Sequence, residues 1–312
     1  MTAAILSRVR TRFQRSETVA PVALAVTVGA LSAVGAIILR LLIRLVQWVF
    51  FDWGGSIAEL HAPPGLDRVH YFLAPAVGMV LVSWMVRRWA PEAQGHGVPE
   101  VQYAVRMFGG KIRARVAAIK ALASALSIGS GGSVGREGPI VQIGSSLGST
   151  VGQVAGLGTS HTKILVAAGS AGAIGATFNA PIAGVMFAME VILGSFAARS
   201  FGLVVIASVT ATAISQAALG DAPAFRLVET FTLVSDWEFL LYLALGVFTG
   251  LIALAYVQSV YWFEDSFDAW NLSPSLKALV GGLGVGAMGF FGSELLFGVG
   301  HEGVELALRG EM

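Results

Sequence analysis

Gly129-Ser130-Gly131-Gly132-Ser133-Val134-Gly135-Arg136-Glu137-Gly138-Pro139 sets an arginine, a glutamate and five glycines between two apolar segments. In a bilayer core, ionisable side chains and irregular backbone are tolerated only where they line a cavity or a binding site. A second break, Gly95-His96-Gly97-Val98-Pro99-Glu100, lies upstream. Pro99 and Pro139 each stand where a helix can start, since proline suits the first helical turn. Two glycine-rich breaks that each open a helix point to a pore or transporter holding an anion on helix N-termini.

Composition agrees. Of 312 residues, 55% are hydrophobic and only 12% charged, half of the roughly 25% found in soluble domains. Mean hydropathy is +0.74. The chain therefore reads as an all-α, polytopic integral membrane protein with the lipid bilayer as its solvent. Absence of cysteine excludes disulfides and thiolate metal sites, and a net charge of +1 gives no sign of nucleic-acid binding. Nothing calls for a cofactor or a metal.

Residues 1–18 form a basic segment with Arg8, Arg10, Arg12 and Arg15, expected as an amphipathic helix at the cytoplasmic surface. Val19 to Phe51 is the first span, a retained helix of roughly 50 Å that must tilt or protrude. A polar loop, Asp52 to Arg68, leads to a return span, Tyr71 to Trp89, ending on Arg87-Arg88. With Lys111, Arg113 and Arg115, these arginines place both ends of the hairpin on the cytoplasmic side of a cell (inner) membrane. Shorter segments follow: Pro99 to Phe108, Arg115 to Ile128, Pro139 to Val154, His161 to Phe178 and Pro181 to Leu193. Phe201 to Leu219, Trp237 to Phe263 and Leu276 to Phe297 are later spans, and Gly298 to Met312 reads as a polar ending without a closing helix. Several of these fall below the roughly 20 residues that cross a bilayer, so broken and re-entrant helices are expected.

Amides near Gly97, Val98, Gly138 and Ile140 are expected to aim free N–H groups at one point, where two helix ends each carry about half a positive charge. A small anion can shed water there without a full counter-charge. Glu137, a carboxylate at one of these helix starts, imitates the anion and competes for the same donors.

The two breaks and a third stretch, Gly172 to Glu190, together resemble the CLC family of chloride channels and chloride/proton exchangers. The first filter motif of that family, usually Gly-Ser-Gly-Ile-Pro-Glu, reads Gly95-His96-Gly97-Val98-Pro99-Glu100 here. The second is Gly135-Arg136-Glu137-Gly138-Pro139, continued by Ile140 and the family-like Val141-Gln142-Ile143-Gly144. Phe178-Asn179-Ala180-Pro181 and Gly184 to Glu190 look like the next two helices. The resemblance implies chloride or a similar small anion as substrate, a homodimer with one pore per subunit, and no enzyme activity. It implies Glu137 as the gating glutamate and residues 95–99, 135, 136 and 138–140 as the anion-binding loops. Arg136 is expected to shape the field near the pore.

Two departures stand out. His96 replaces a serine, so an imidazole either donates to the anion or turns to cytoplasmic water. At the glutamate pair used for proton delivery, the chain reads Glu190-Val191. Valine binds no proton, which favours a passive, voltage- or pH-gated channel. The alternative is an antiporter in which Glu190 substitutes, and the bland reading of Glu190 is a structural carboxylate paired with a group such as Arg199. The family's inverted repeat implies a first repeat over 19–230 and the start of a second over 231–312, expected to be incomplete. No Gly-x-Phe-x-Pro segment or late tyrosine follows Phe297, so a fragment, even a non-conducting scaffold, is a further expectation. An intramembrane serine protease fails because Ile128-Gly129 precedes Ser130, and no lysine and hydroxyl follow the glycines as a P-loop requires.

Overall fold

The computed structural model describes residues 19–53, 55–56, 69–221, 233 and 235–309, apart from the side chains of Arg199 and Glu294. The expected surface helix at 1–18 and most of the expected loop at 52–68 lie outside these residues. Among the described residues every regular element is helical: α1 Val19–Gln47, α2 Val69–Trp89, α3 Val98–Met107, α4 Arg115–Gly129, α5 Glu137–Val154, α6 Thr159–Phe178, α7 Pro181–Phe187, α8 Ala198–Leu219, α9 Glu238–Ala269, α10 Pro274–Phe291 and α11 His301–Leu308. Widened π-type turns extend α1 through Trp48–Trp53 and α7 through Ala188–Leu193.

The helices sort their side chains by size. On α1 the buried stripe is Ala25, Val28, Gly29, Ser32, Ala33, Ala36, Leu39 and Ile43, at helical spacing, while Leu31, Val34, Ile38, Leu41 and Leu45 are exposed. Small residues inward let backbones approach, and large apolar ones outward suit lipid tails. The central helix is α6, buried almost continuously from Leu165 to Ala173. It crosses α5 at Gly144, Gly148 and Gly169. A methyl group on Gly144 would lie 2.6 Å from the Ala173 Cβ, and one on Gly148 would lie 2.7 Å from the Leu165 carbonyl carbon. Buried serines join neighbouring helices to α6: Ser32 Oγ donates to the Gly169 carbonyl at 3.1 Å and Ser215 Oγ to the Ala176 carbonyl at 2.7 Å.

Among the described residues, five segments are long and apolar enough to cross a membrane: Val19–Trp53, Val69–Trp89, Ser200–Leu219, Glu238–Ala269 and Pro274–Phe291. Between them α3, α4 and α7 have 10, 15 and 7 residues, too short to span. The broken helices thus occur where they are expected. Two sequence expectations need correction. The last span stops at Phe291, where Gly292 ends the helix, and does not continue to Phe297. Beyond it, the polar ending contains α11, started by Gly300 in a left-handed conformation.

Candidate anion site

The first loop is held from beneath. Gly95 and Gly97 have φ of +95° and +98°, a region open to glycine and costly for other residues. The Lys120 ammonium, with the residue only 5% exposed, donates to the Ala93 carbonyl at 3.0 Å and the Gly95 carbonyl at 2.9 Å. Sequence reasoning passed over Lys120; its signal was a lone lysine inside the apolar run of α4. Glu100 folds back so that its carboxylate accepts the Gly97 N–H at 2.6 Å. Gln142 on α5 donates to the Glu92 carbonyl at 3.1 Å, and Glu92 pairs with Arg113 and Arg115.

The second loop leaves α4 at Gly129 and enters α5 at Glu137, two residues before Pro139. Likewise α3 begins at Val98, one residue before Pro99. Both prolines therefore sit inside the first turn, where their missing N–H costs nothing. Glu137 is exposed, and its carboxylate lies back over its own helix start: a methyl group on Gly135 would stand 3.0 Å from the Glu137 Cδ. The Arg136 guanidinium sits 5.5 Å from the centre of the Phe178 ring, and its Nε is buried without a hydrogen-bond partner.

The two loops meet backbone to backbone. A methyl group on Gly97 would lie 2.7 Å from the Gly138 carbonyl carbon, and one on Gly138 would lie 3.1 Å from the His96 carbonyl carbon. The N-termini of α3 and α5 therefore converge. Of the four amides expected free, two are engaged. Gly97 N–H is taken by Glu100, and Ile140 N–H by the Arg136 carbonyl at 3.0 Å, because α5 starts earlier than its proline. Val98 and Gly138 keep amides for which no protein acceptor occurs among the described residues. Two amides at the positive ends of two helices can hold a small monovalent anion.

The remaining predicted residues lie apart from this point. The His96 side chain is 66% exposed and faces Glu264 of α9, Nε2 to Oε1 at 3.8 Å, the outward of its two expected orientations. Glu190 is exposed in the π-type turn and Val191 is half-buried. The Val191 carbonyl accepts from the Gln102 side chain at 2.8 Å, which ties this turn to α3 and so to the first loop.

Comparison with known proteins agrees with this architecture. The family described as voltage gated chloride channel matches residues 78–312. A putative chloride channel protein ClcB-like from Ralstonia nicotianae is 30% identical over 274 residues, covering 85% of this chain and 62% of that protein. An H(+)/Cl(-) exchange transporter ClcA from Vibrio parahaemolyticus is 30% identical over 279 residues, covering 88% of this chain and 58% of that protein. The chain thus spans about three fifths of the length of these two relatives. Among solved structures, a slow cyanobacterial Cl-/H+ antiporter superposes with a TM-score of 0.77 at 24% identity, over 92% of this chain and 67% of that one. A CLC-type fluoride/proton antiporter gives 0.74 at 19% identity, over 94% and 69%. The converging loop starts, the broken helices between full spans and the match over 78–312 lead to one conclusion: this chain belongs to the CLC family.

Proposed function

We propose that this chain moves chloride, or a similar small anion, across a membrane in exchange for protons. The observation that carries the reading is the contact of Gly97 with Gly138, which brings two helix N-termini together beside the Glu137 carboxylate. The anion rests on the Val98 and Gly138 amides. Glu137 competes for such donors when ionised and leaves them when protonated, so one carboxylate links anion entry to a proton. Exchange is favoured over a passive channel because the ClcA relatives are named exchange transporters and two similar folds belong to antiporters. Val191 keeps the channel as a second reading, since no proton can rest at that position. Exposed Glu190 is the acid we assign to the exchanger's other side. The working unit is a homodimer in the inner membrane with a cytoplasmic N-terminus, and its activity is transport without catalysis.

The test is simultaneous chloride and proton flux from proteoliposomes holding the purified chain. Protons driven uphill by a chloride gradient would support exchange. Chloride movement without them would select the channel, and no chloride movement at all would overturn the transport reading.

A further inference from the structure

A cleft of about 350 Å³ lies between the C-terminal part of α1 and the segment 295–302. Arg40, Arg44 and Gln47 of α1 line it, with Arg136 at the entry to α5 and Glu302 at the start of α11. A smaller hollow of about 20 Å³ shares Arg40 and Arg136 and reaches Thr177. Both the Arg136 Nε and the Thr177 Oγ1 are buried without a partner. No carboxylate among the described side chains comes within 4.0 Å of any of the three guanidinium groups. Three arginines thus share this space with Glu302 and His301, and Glu137, next to Arg136 in the chain, is the other carboxylate whose charge acts on that arginine.

Topology does not account for this charge. Arg40 and Arg44 lie 21 and 25 positions beyond Val19, about 30–40 Å along the helix. The basic segment before Val19 already satisfies the positive-inside rule at the other end of α1. Arg40 and Arg44 are also like charges four residues apart, a spacing that destabilises an isolated helix. A bound counter-ion removes that cost. The chemistry also says which kind. A guanidinium presents parallel N–H donors that match two oxygens of a phosphate or carboxylate, and gives no such advantage with a spherical halide. The cleft far exceeds the roughly 10–15 Å³ that one water needs.

We propose that this cleft binds a multivalent oxyanion of the phosphate or sulfate type, held by Arg40, Arg44 and Arg136 at a site separate from the Gly97–Gly138 contact. The site does not depend on chloride passing that contact, and it is tested separately. Sulfate and inorganic phosphate are titrated by calorimetry into the purified full chain at constant chloride concentration. Saturable binding of one oxyanion per chain is expected. The double variant R40Q/R44Q should bind at least tenfold more weakly, R40K/R44K, which keeps the charge without the parallel donors, should fall between it and the wild type, and chloride binding should stay unchanged in both. Absence of saturable binding to the wild type overturns the proposal, and so does equal sulfate affinity in R40Q/R44Q. Repeating the titration in phosphatidylcholine and phosphatidylglycerol nanodiscs separates the sources. Loss of phosphate binding only with phosphatidylglycerol assigns the site to a lipid headgroup, and equal binding in both assigns it to a soluble oxyanion. Loss of chloride flux in the wild type with sulfate binding intact would sink the transport reading and leave this site standing.

Discussion

Gly97 and Gly138, 41 positions apart in sequence, touch through their backbones, so that neither can carry a side chain without moving the other loop. The contact brings two separate helix starts together. Gly97 adds a second constraint, because its φ of +98° is a conformation that L side chains rarely adopt.

Gly97→Ala should therefore destabilise the fold by about 2 kcal/mol or more, combining a left-handed penalty of about 1–2 kcal/mol with the steric conflict. It should also abolish anion flux, whereas Gly194→Ala, at an open position with φ of +65°, should show only the smaller backbone cost. Thermal unfolding and flux assays on both variants check this. Equal losses at the two positions would mean that the loop contact has no special role.

Glu137→Gln removes the carboxylate charge but keeps the shape. Proton flux should fall to the rate of protein-free vesicles while chloride flux persists and loses its dependence on pH. Proton coupling that survives the change would remove Glu137 from the proposed mechanism.

Lys120 offers a way to separate charge from hydrogen bonding. Lys120→Met leaves the buried Ala93 carbonyl without its donor and should cost about 1–3 kcal/mol. Lys120→Gln can still donate but carries no charge, so it should weaken chloride binding roughly tenfold, about 1.4 kcal/mol, with little change in stability. Calorimetry with chloride and thermal unfolding read the two effects. Wild-type chloride affinity in Lys120→Gln would limit this lysine to a structural role.

His96 faces Glu264 and water, and both side chains are about half exposed or more. An exposed pair of this kind contributes little. His96→Ser should therefore change chloride affinity less than about threefold, since the proposed anion site rests on backbone amides. A larger loss would show that the imidazole itself reaches the anion.

On the proton side, Glu190→Gln should stop coupled proton flux without stopping chloride. Val191→Glu supplies an acid on a turn bonded to α3 through Gln102, and should raise the proton flux. Coupling that is indifferent to both substitutions would place the proton's route elsewhere.

Much of this molecule was legible in short stretches of sequence. Hydropathy marked the spans, and glycine and proline marked the breaks at 95–99 and 135–139, because conformational preference and transfer to lipid are local properties of a few consecutive residues. The same motifs carried the family resemblance. Relationships across the fold were not legible. That Gly97 meets Gly138, that Lys120 supports Gly95, that Glu100 occupies an amide expected to be free, and that Arg40 shares a cleft with Arg136 all depend on helix packing. Packing is decided by the fit of many side chains at once, and a chain read in order does not display it. The sequence by itself determined a helical membrane protein with two proline-headed helix starts. The tertiary structure decided which amides remain at their meeting point and which arginines share a cleft.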